Sequence, residues 1–130
     1  MQICVLFSKI HRATVSAADL HYEGSITIDR RLMDRAGLLA HQQVQIYNVS
    51  NGARFETYVM EGEARSGCIQ INGAAAHRAS IGDLIIIAAY ATMSPEEAAG
   101  WQPRIVLVDA ANRPQEVGAV ADARVDLAEC

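Results

Sequence analysis

From Gln43 to Met60 the sequence alternates polar and apolar residues on both sides of Asn51-Gly52. Asn-Gly is a strong hairpin signal because both residues tolerate positive φ. Alternation with period two gives each arm one face for a core and one for solvent. A chain committed to such a hairpin, and punctuated elsewhere at short intervals, must build a small β structure rather than a helical bundle. The other segments agree. Gln2 to Ser16 reads as one or two strands, and Ser25 to Asp29 as another. Arg54 to Met60 is the returning arm of the hairpin, Gly67 to Asn72 a further strand, and Arg104 to Asp109 the last. Leu84 to Ala91 is apolar on both faces and reads as a buried strand.

The helices are short. Arg30 to Ala36 is closed by Gly37, and Ala74 to Ala79 is alanine-rich. Ser94-Pro95-Glu96-Glu97 carries an N-cap, a first-position proline and a capping-box glutamate. Ile28 to Val49 and Ile71 to Tyr90 repeat one order: strand, short helix, glycine, strand. Two such units suit a small closed barrel, which also removes exposed sheet edges. Residues 1–109 form the expected domain, and 110–130, rich in Ala and Asp, the expected mobile tail.

Composition narrows the function classes. The 130 residues are 51% hydrophobic and 20% charged with net charge −4, so one folded domain is expected. Mild acidity, with the arginines scattered, argues against nucleic acid as a partner. The longest apolar run is far short of a membrane span, and Met1 to Phe7 lacks the basic start of a signal peptide. A cytoplasmic protein is therefore expected. The three cysteines and four histidines show neither a CxxC pair nor short metal-ligand spacing, so no metal is expected. Lys9 is the lone lysine beside ten arginines.

The chemistry is written in four segments: Lys9-Ile10-His11-Arg12, His21-Tyr22-Glu23-Gly24-Ser25, Arg54-Phe55-Glu56-Thr57-Tyr58, and Ile71-Asn72-Gly73-Ala74-Ala75-Ala76-His77. A Gly-Ser pair by itself marks a turn before a strand equally well. It also has a chemistry of its own. If the backbone is held strained, the serine Oγ can attack the preceding carbonyl and shift the peptide to an ester. Elimination then leaves a dehydroalanine, which hydrolyses to a pyruvoyl group. Gly24, having no Cβ, is expected to let the loop reach that geometry.

In this order and spacing the four segments resemble the pyruvoyl-dependent aspartate 1-decarboxylases, over roughly Ser8 to Asp109. The resemblance implies a mainly β, closed double-psi β-barrel with short helices. It also implies a homotetramer with active sites between subunits, and cleavage at 24/25 into a β chain 1–24 and an α chain 25–130. The implied reaction converts L-aspartate to β-alanine and CO2 through a Schiff base with the pyruvoyl group made from Ser25. β-Alanine would feed pantothenate and coenzyme A biosynthesis. Neither a metal nor pyridoxal phosphate is implied, and some relatives need a helper protein to mature.

The implied roles fall on matched residues. Thr57 promotes cleavage by donating to the Gly24 carbonyl. Asn72 and the Ala74 and Ala75 amides hold the oxyanion or the cofactor carbonyl, and with Thr57 and Gly73 they bind substrate. Arg54, with Lys9 as second cation, holds substrate carboxylates, because a guanidinium fork grips a carboxylate with two bonds. Tyr58 returns the proton to the α-carbon; a phenol ordinarily carries its proton at neutral pH and is ready to donate. Tyr22, His11 and Tyr47 line the site, Tyr47 standing where the family pattern has tryptophan.

Two other readings remain. Small double-psi barrels also serve as binding modules, in which Gly24-Ser25 stays intact and Arg54 is a surface residue. A serine hydrolase using Ser25 with His11 or His77 lacks the GxSxG elbow, and Ser25 opens a strand rather than a helix.

Overall fold

The structure, a computed structural model, describes residues 1–115 and is mainly β. Along the chain run β1 (Ile3–Thr14), β2 (Ala17–Asp19), β3 (Ser25–Asp29), α1 (Arg30–Ala36), β4 (Gln43–Asn48) and β5 (Arg54–Gly62). Then follow β6 (Ile69–Asn72), a 3-10 helix (Gly73–His77), β7 (Leu84–Met93), α2 (Pro95–Gly100) and β8 (Arg104–Leu107). The strands are hydrogen-bonded in the order β2-β6-β3-β5-β4-β7-β1-β8.

That order has two ends, yet β1 and β2 are one path broken only by Val15-Ser16. Val15 N donates to Asp83 O and Ser16 N to Ile69 O, both at 2.9 Å. The chain thus passes from its antiparallel partner β7 to its parallel partner β6 without leaving the hydrogen-bonded wall. β5 makes the same crossing, antiparallel to β4 and then parallel to β3. The two crossing strands close the ring as the small barrel expected, with β8 added in parallel outside β1. The internal repeat is visible in the pairing. β3 meets β6, and β4 meets β7, antiparallel, with Ile26 opposite Ile71 and Ile46 opposite Ile87. Equivalent strands facing each other this way is what a local two-fold requires.

The core lies inside the ring. Ile10, Ile26, Ile28, Leu32, Ile46, Ile69, Ile71, Ile85 and Ile87 are all fully buried. Strand alternation then sends the intervening residues to the outer face, where the chemistry-bearing side chains lie.

One buried carboxylate ties the barrel to the loop between β5 and β6. Asp29, fully buried, caps α1 by accepting from Arg31 N at 2.8 Å. It also accepts from Arg65 N at 3.0 Å and Gly67 N at 2.8 Å. Asp29→Ala strands three donors, so stability should fall by about 3 kcal/mol or more, read from the urea midpoint. A shift under about 1 kcal/mol would show that water reaches those amides.

Three local expectations change. In the hairpin only Gly52 has positive φ, 79°, and the loop is wider than an Asn-Gly turn. Asn48 organises it: Oδ1 accepts from Ser50 N at 2.9 Å, and Nδ2 donates to Asp83 at 2.9 Å. The alanine-rich helix is a 3-10 turn beginning at Gly73. The segment from Ala110 to Gln115, expected to open the tail, is docked on the domain. Asn112, at φ 61° and 2% exposed, accepts from Thr14 N at 2.8 Å and donates to Gly67 O at 2.9 Å. Pro114 bridges to Val108. The rest of the expected tail, 116–130, lies outside the described residues.

Candidate active site

Ser25 opens β3 and is 1% exposed. Ile26 and Ile28 point into the core, so Ser25 and Thr27 share the outer face. Opposite them on β6, Ile69 and Ile71 are core and Gln70 and Asn72 outer. The four outer side chains form one network. Asn72 Nδ2 donates to Ser25 Oγ at 2.9 Å and to Thr27 Oγ1 at 3.0 Å, while Gln70 Nε2 donates to Asn72 Oδ1 at 2.7 Å. The Ser25 hydroxyl itself donates to Glu23 O at 3.3 Å.

Gly73, which has φ 71°, packs against the chain just before the Gly24-Ser25 bond. A Cβ there would lie 2.7 Å from Gly24 Cα, 2.8 Å from Gly24 N and 3.1 Å from Tyr22 O. The glycine demanded by close approach is therefore Gly73. Gly24, expected to need its missing Cβ, has open space around that position and no positive φ. Ala74 and Ala75 follow Gly73 at the start of the 3-10 turn, where the first amides have no partner within the helix. Tyr22 is half exposed on the loop leading to the bond.

β5 flanks β3 on its other side. The parallel ladder pairs Ile26 with Val59. One step back along it, Tyr58 stands level with Ser25; one further, Thr57 stands level with Gly24. Alternation puts Tyr58 on the outer face with Ser25 and Thr57 on the opposite one. Thr57 pairs across to the core residue Val44.

The remaining expected residues sit elsewhere on the barrel wall. Tyr47 pairs with Arg54 between β4 and β5, and the Arg54 guanidinium lies 4.1 Å from the centre of the Tyr47 ring. Tyr47 and Tyr90 join their hydroxyls at 2.8 Å. Burial first, then the Tyr47 hydroxyl, pushes the Tyr90 phenol up to about 12, so it keeps its proton. These tyrosines, with Cys4, Gln43, Gln45 and Ala88, line a cleft of about 480 Å³ whose lining does not include Ser25. Lys9 is in register with Ala88, and Ala88 with Gln45, so Lys9 faces the same side. Arg54 is four residues from Tyr58 along β5, about 13 Å at the usual strand rise. His11, two residues past Lys9, lies beside β8; its Nδ1 is buried without a partner among the described residues. Burial, then the Lys9 and Arg12 charges, lowers its pKa, so the ring is neutral at pH 7.

Ser25, Gly24, Asn72 and Gly73 are thus brought together, with Tyr58 and Thr57 in register beside them. Arg54 and Tyr47 instead meet each other on another part of the wall, and His11 lies beside β8. Gln70, Thr27 and Tyr90 were not anticipated. Alternation from Asn72 and Ser25 marks Gln70 and Thr27 as same-face neighbours, but only the β3–β6 register shows that they meet.

Among the described residues no three of His, Cys, Asp and Glu are grouped to hold a metal ion. No helix there is long and apolar enough to cross a membrane.

Comparison with known proteins gives one answer. The family model described as aspartate decarboxylase matches residues 1–115. An aspartate 1-decarboxylase of Chloroherpeton thalassium is 58% identical over 117 residues, covering 90% of this chain and 86% of its own. One of Bordetella avium is 52% identical over 117 residues, covering 90% and 96%. Among solved structures, a rationally designed double-psi β-barrel protein is similar with TM-score 0.45 and 15% identity, over 59% of this chain and 90% of its own.

Proposed function

This chain belongs to the aspartate decarboxylase family and is a decarboxylase, and from that premise we propose that it cleaves itself at Gly24-Ser25 and converts L-aspartate to β-alanine with the pyruvoyl group so formed. The observation that carries the proposal is the packing of one bond. A buried serine hydroxyl is held by Asn72 while a positive-φ glycine packs close against Gly24, the residue before the bond to be cut. Such a cradle fits a group made from Ser25 itself.

In maturation Ser25 Oγ bonds to the Gly24 carbonyl carbon, and the C–N bond breaks to free the Ser25 amine. Removal of the Cα proton to solvent breaks Cβ–Oγ, and Oγ leaves as part of the Gly24 carboxylate. Water then replaces the nitrogen of the resulting dehydroalanine, which departs as ammonia. Thr57, level with Gly24, is the donor for its carbonyl. Once formed, the pyruvoyl carbonyl supplies the electron sink for loss of CO2. Tyr58, level with Ser25, returns a proton to the α-carbon, and Gly73, Ala74 and Ala75 shape the wall beside the carbonyl.

Substrate charge is handled by Arg54 and Lys9, with Tyr47, Tyr22 and His11 lining the site. Arg54 lies about 13 Å along the wall from the position beside Ser25. We read the site as completed by a neighbouring copy in a homotetramer, as the family resemblance implies. Arg54 holds the side-chain carboxylate, since gripping the departing one would stabilise the ground state. Arg54→Lys loses both the fork and the stacking on Tyr47. KM for aspartate should rise about tenfold or more, a loss of about 1.4 kcal/mol, with kcat less affected. An unchanged KM would remove Arg54 from binding. The product suits supply of β-alanine for pantothenate and coenzyme A in the cytoplasm, with or without a maturation helper.

Intact-mass measurement on purified protein tests the reading. Two fragments, 1–24 and 25–130, are expected, the larger without a free amino terminus and reactive to hydroxylamine. A single chain after prolonged warm incubation, without a reactive carbonyl, would leave only the uncleaved binding module.

A further inference from the structure

We propose that Gln70 holds the Asn72 amide with its N–H end toward Ser25, and is thereby a positioning residue for self-cleavage; the inference rests on the maturation reading above. Ser25, whose proton goes to Glu23 O at 3.3 Å, accepts from Asn72 and favours this orientation, while Thr27 donates or accepts equally well. The hydrogen count adds to it. Asn72 is fully buried, and its two N–H groups meet two acceptors, Ser25 Oγ at 2.9 Å and Thr27 Oγ1 at 3.0 Å. Its Oδ1 accepts from Gln70 Nε2 at 2.7 Å. Turned over, Oδ1 would face a Ser25 oxygen whose proton is already given to Glu23 O, and only one N–H could find Gln70. The second would be stranded in a site closed to water, whereas the observed arrangement leaves only a spare lone pair. Gln70 is half-buried on the next outer position of β6, where its Nε2 reaches Asn72.

Orientation matters because Oγ is the atom that departs. With an N–H aimed at it, negative charge developing on Oγ as Cβ–Oγ breaks has a donor already in place. With Oδ1 aimed at it, that charge would face a carbonyl oxygen.

Three substitutions separate donation from packing. Gln70→Glu keeps the shape but at neutral pH cannot donate. Gln70→Met keeps the length with no donor. Gln70→Lys donates only. Precursor made by timed cell-free synthesis is followed by denaturing gel across a pH series. Wild type and Gln70→Lys should cleave within about threefold of each other. Gln70→Met should be at least about tenfold slower at every pH. Gln70→Glu should match it at pH 7.5 and recover toward wild type as pH falls to a glutamate's usual range, about 4.3, where the protonated acid donates again. The proposal is overturned if Gln70→Lys and Gln70→Met cleave alike, both fast or both slow, or if the Gln70→Glu deficit is independent of pH. Wild type that never cleaves sinks the maturation reading instead.

Discussion

Gly73→Ala is expected to leave the chain almost entirely uncleaved over times in which the wild type matures, a slowing of about a hundredfold or more. Two effects combine. At φ 71° an alanine sits in the left-handed region, which costs roughly 1–2 kcal/mol. The larger effect is contact. The added Cβ would meet Gly24 Cα at 2.7 Å, Gly24 N at 2.8 Å and Tyr22 O at 3.1 Å, all backbone atoms with no side-chain rotamer to yield. Relief requires the 22–24 loop to move away from the 3-10 turn. An intramolecular attack depends on near-contact alignment, and a misplacement of about 1 Å can cost about a hundredfold. A densitometric time course on precursor measures it. The matched control is Gly24→Ala, whose Cβ meets nothing within 4 Å. It should cleave faster than Gly73→Ala although it touches the scissile bond itself. The reverse order would mean that Gly24, not the pressing turn, sets the geometry.

That contrast shows where sequence reasoning stops. Features decided within a few residues were legible. β3 spans Ser25–Asp29 as the alternation indicates, Gly37 ends α1 at φ 71°, and Ser94 with Glu97 makes the capping box. Features decided by register were not. Asn72 and Ser25 are 47 residues apart, and their hydrogen bond depends on how β6 lies against β3. Thr57 stands level with Gly24 because β5 crosses from an antiparallel to a parallel partner, which no periodicity encodes. Asn112 joins the domain through bonds to Thr14 across 98 residues, so composition alone read its segment as tail. The Asn48 turn had a local signal, but the Asn-Gly pair three residues on outweighed it. The candidate site was reached through four motifs, while Gln70, Thr27 and Tyr90, which hold motif residues in place, lie outside them or on a facing strand.

Tyr58→Phe should separate maturation from turnover. Tyr58 stands level with Ser25 on the strand opposite Asn72, so the phenol reaches the outer face without joining the network that holds the serine. Tyr58 is 37% exposed, and loss of an exposed hydroxyl should barely alter stability. The neighbouring outer residue Glu56 is held by Gln43 at 2.6 Å and Gln45 at 2.9 Å, so the strand's outer face keeps its own support without the phenol. Cleavage into two fragments should therefore proceed at the wild-type rate. Turnover should not, because a positioned acid contributes about 10²–10⁴-fold to a proton transfer, and phenylalanine has no proton to give. The expected result is a fully cleaved, carbonyl-bearing protein whose kcat for β-alanine formation falls by about a hundredfold or more, with a smaller change in KM. A wild-type kcat would assign the protonation to another group or to water. A variant that fails to cleave would instead move Tyr58 from turnover into maturation, making the wall on both sides of Ser25 part of the same cradle.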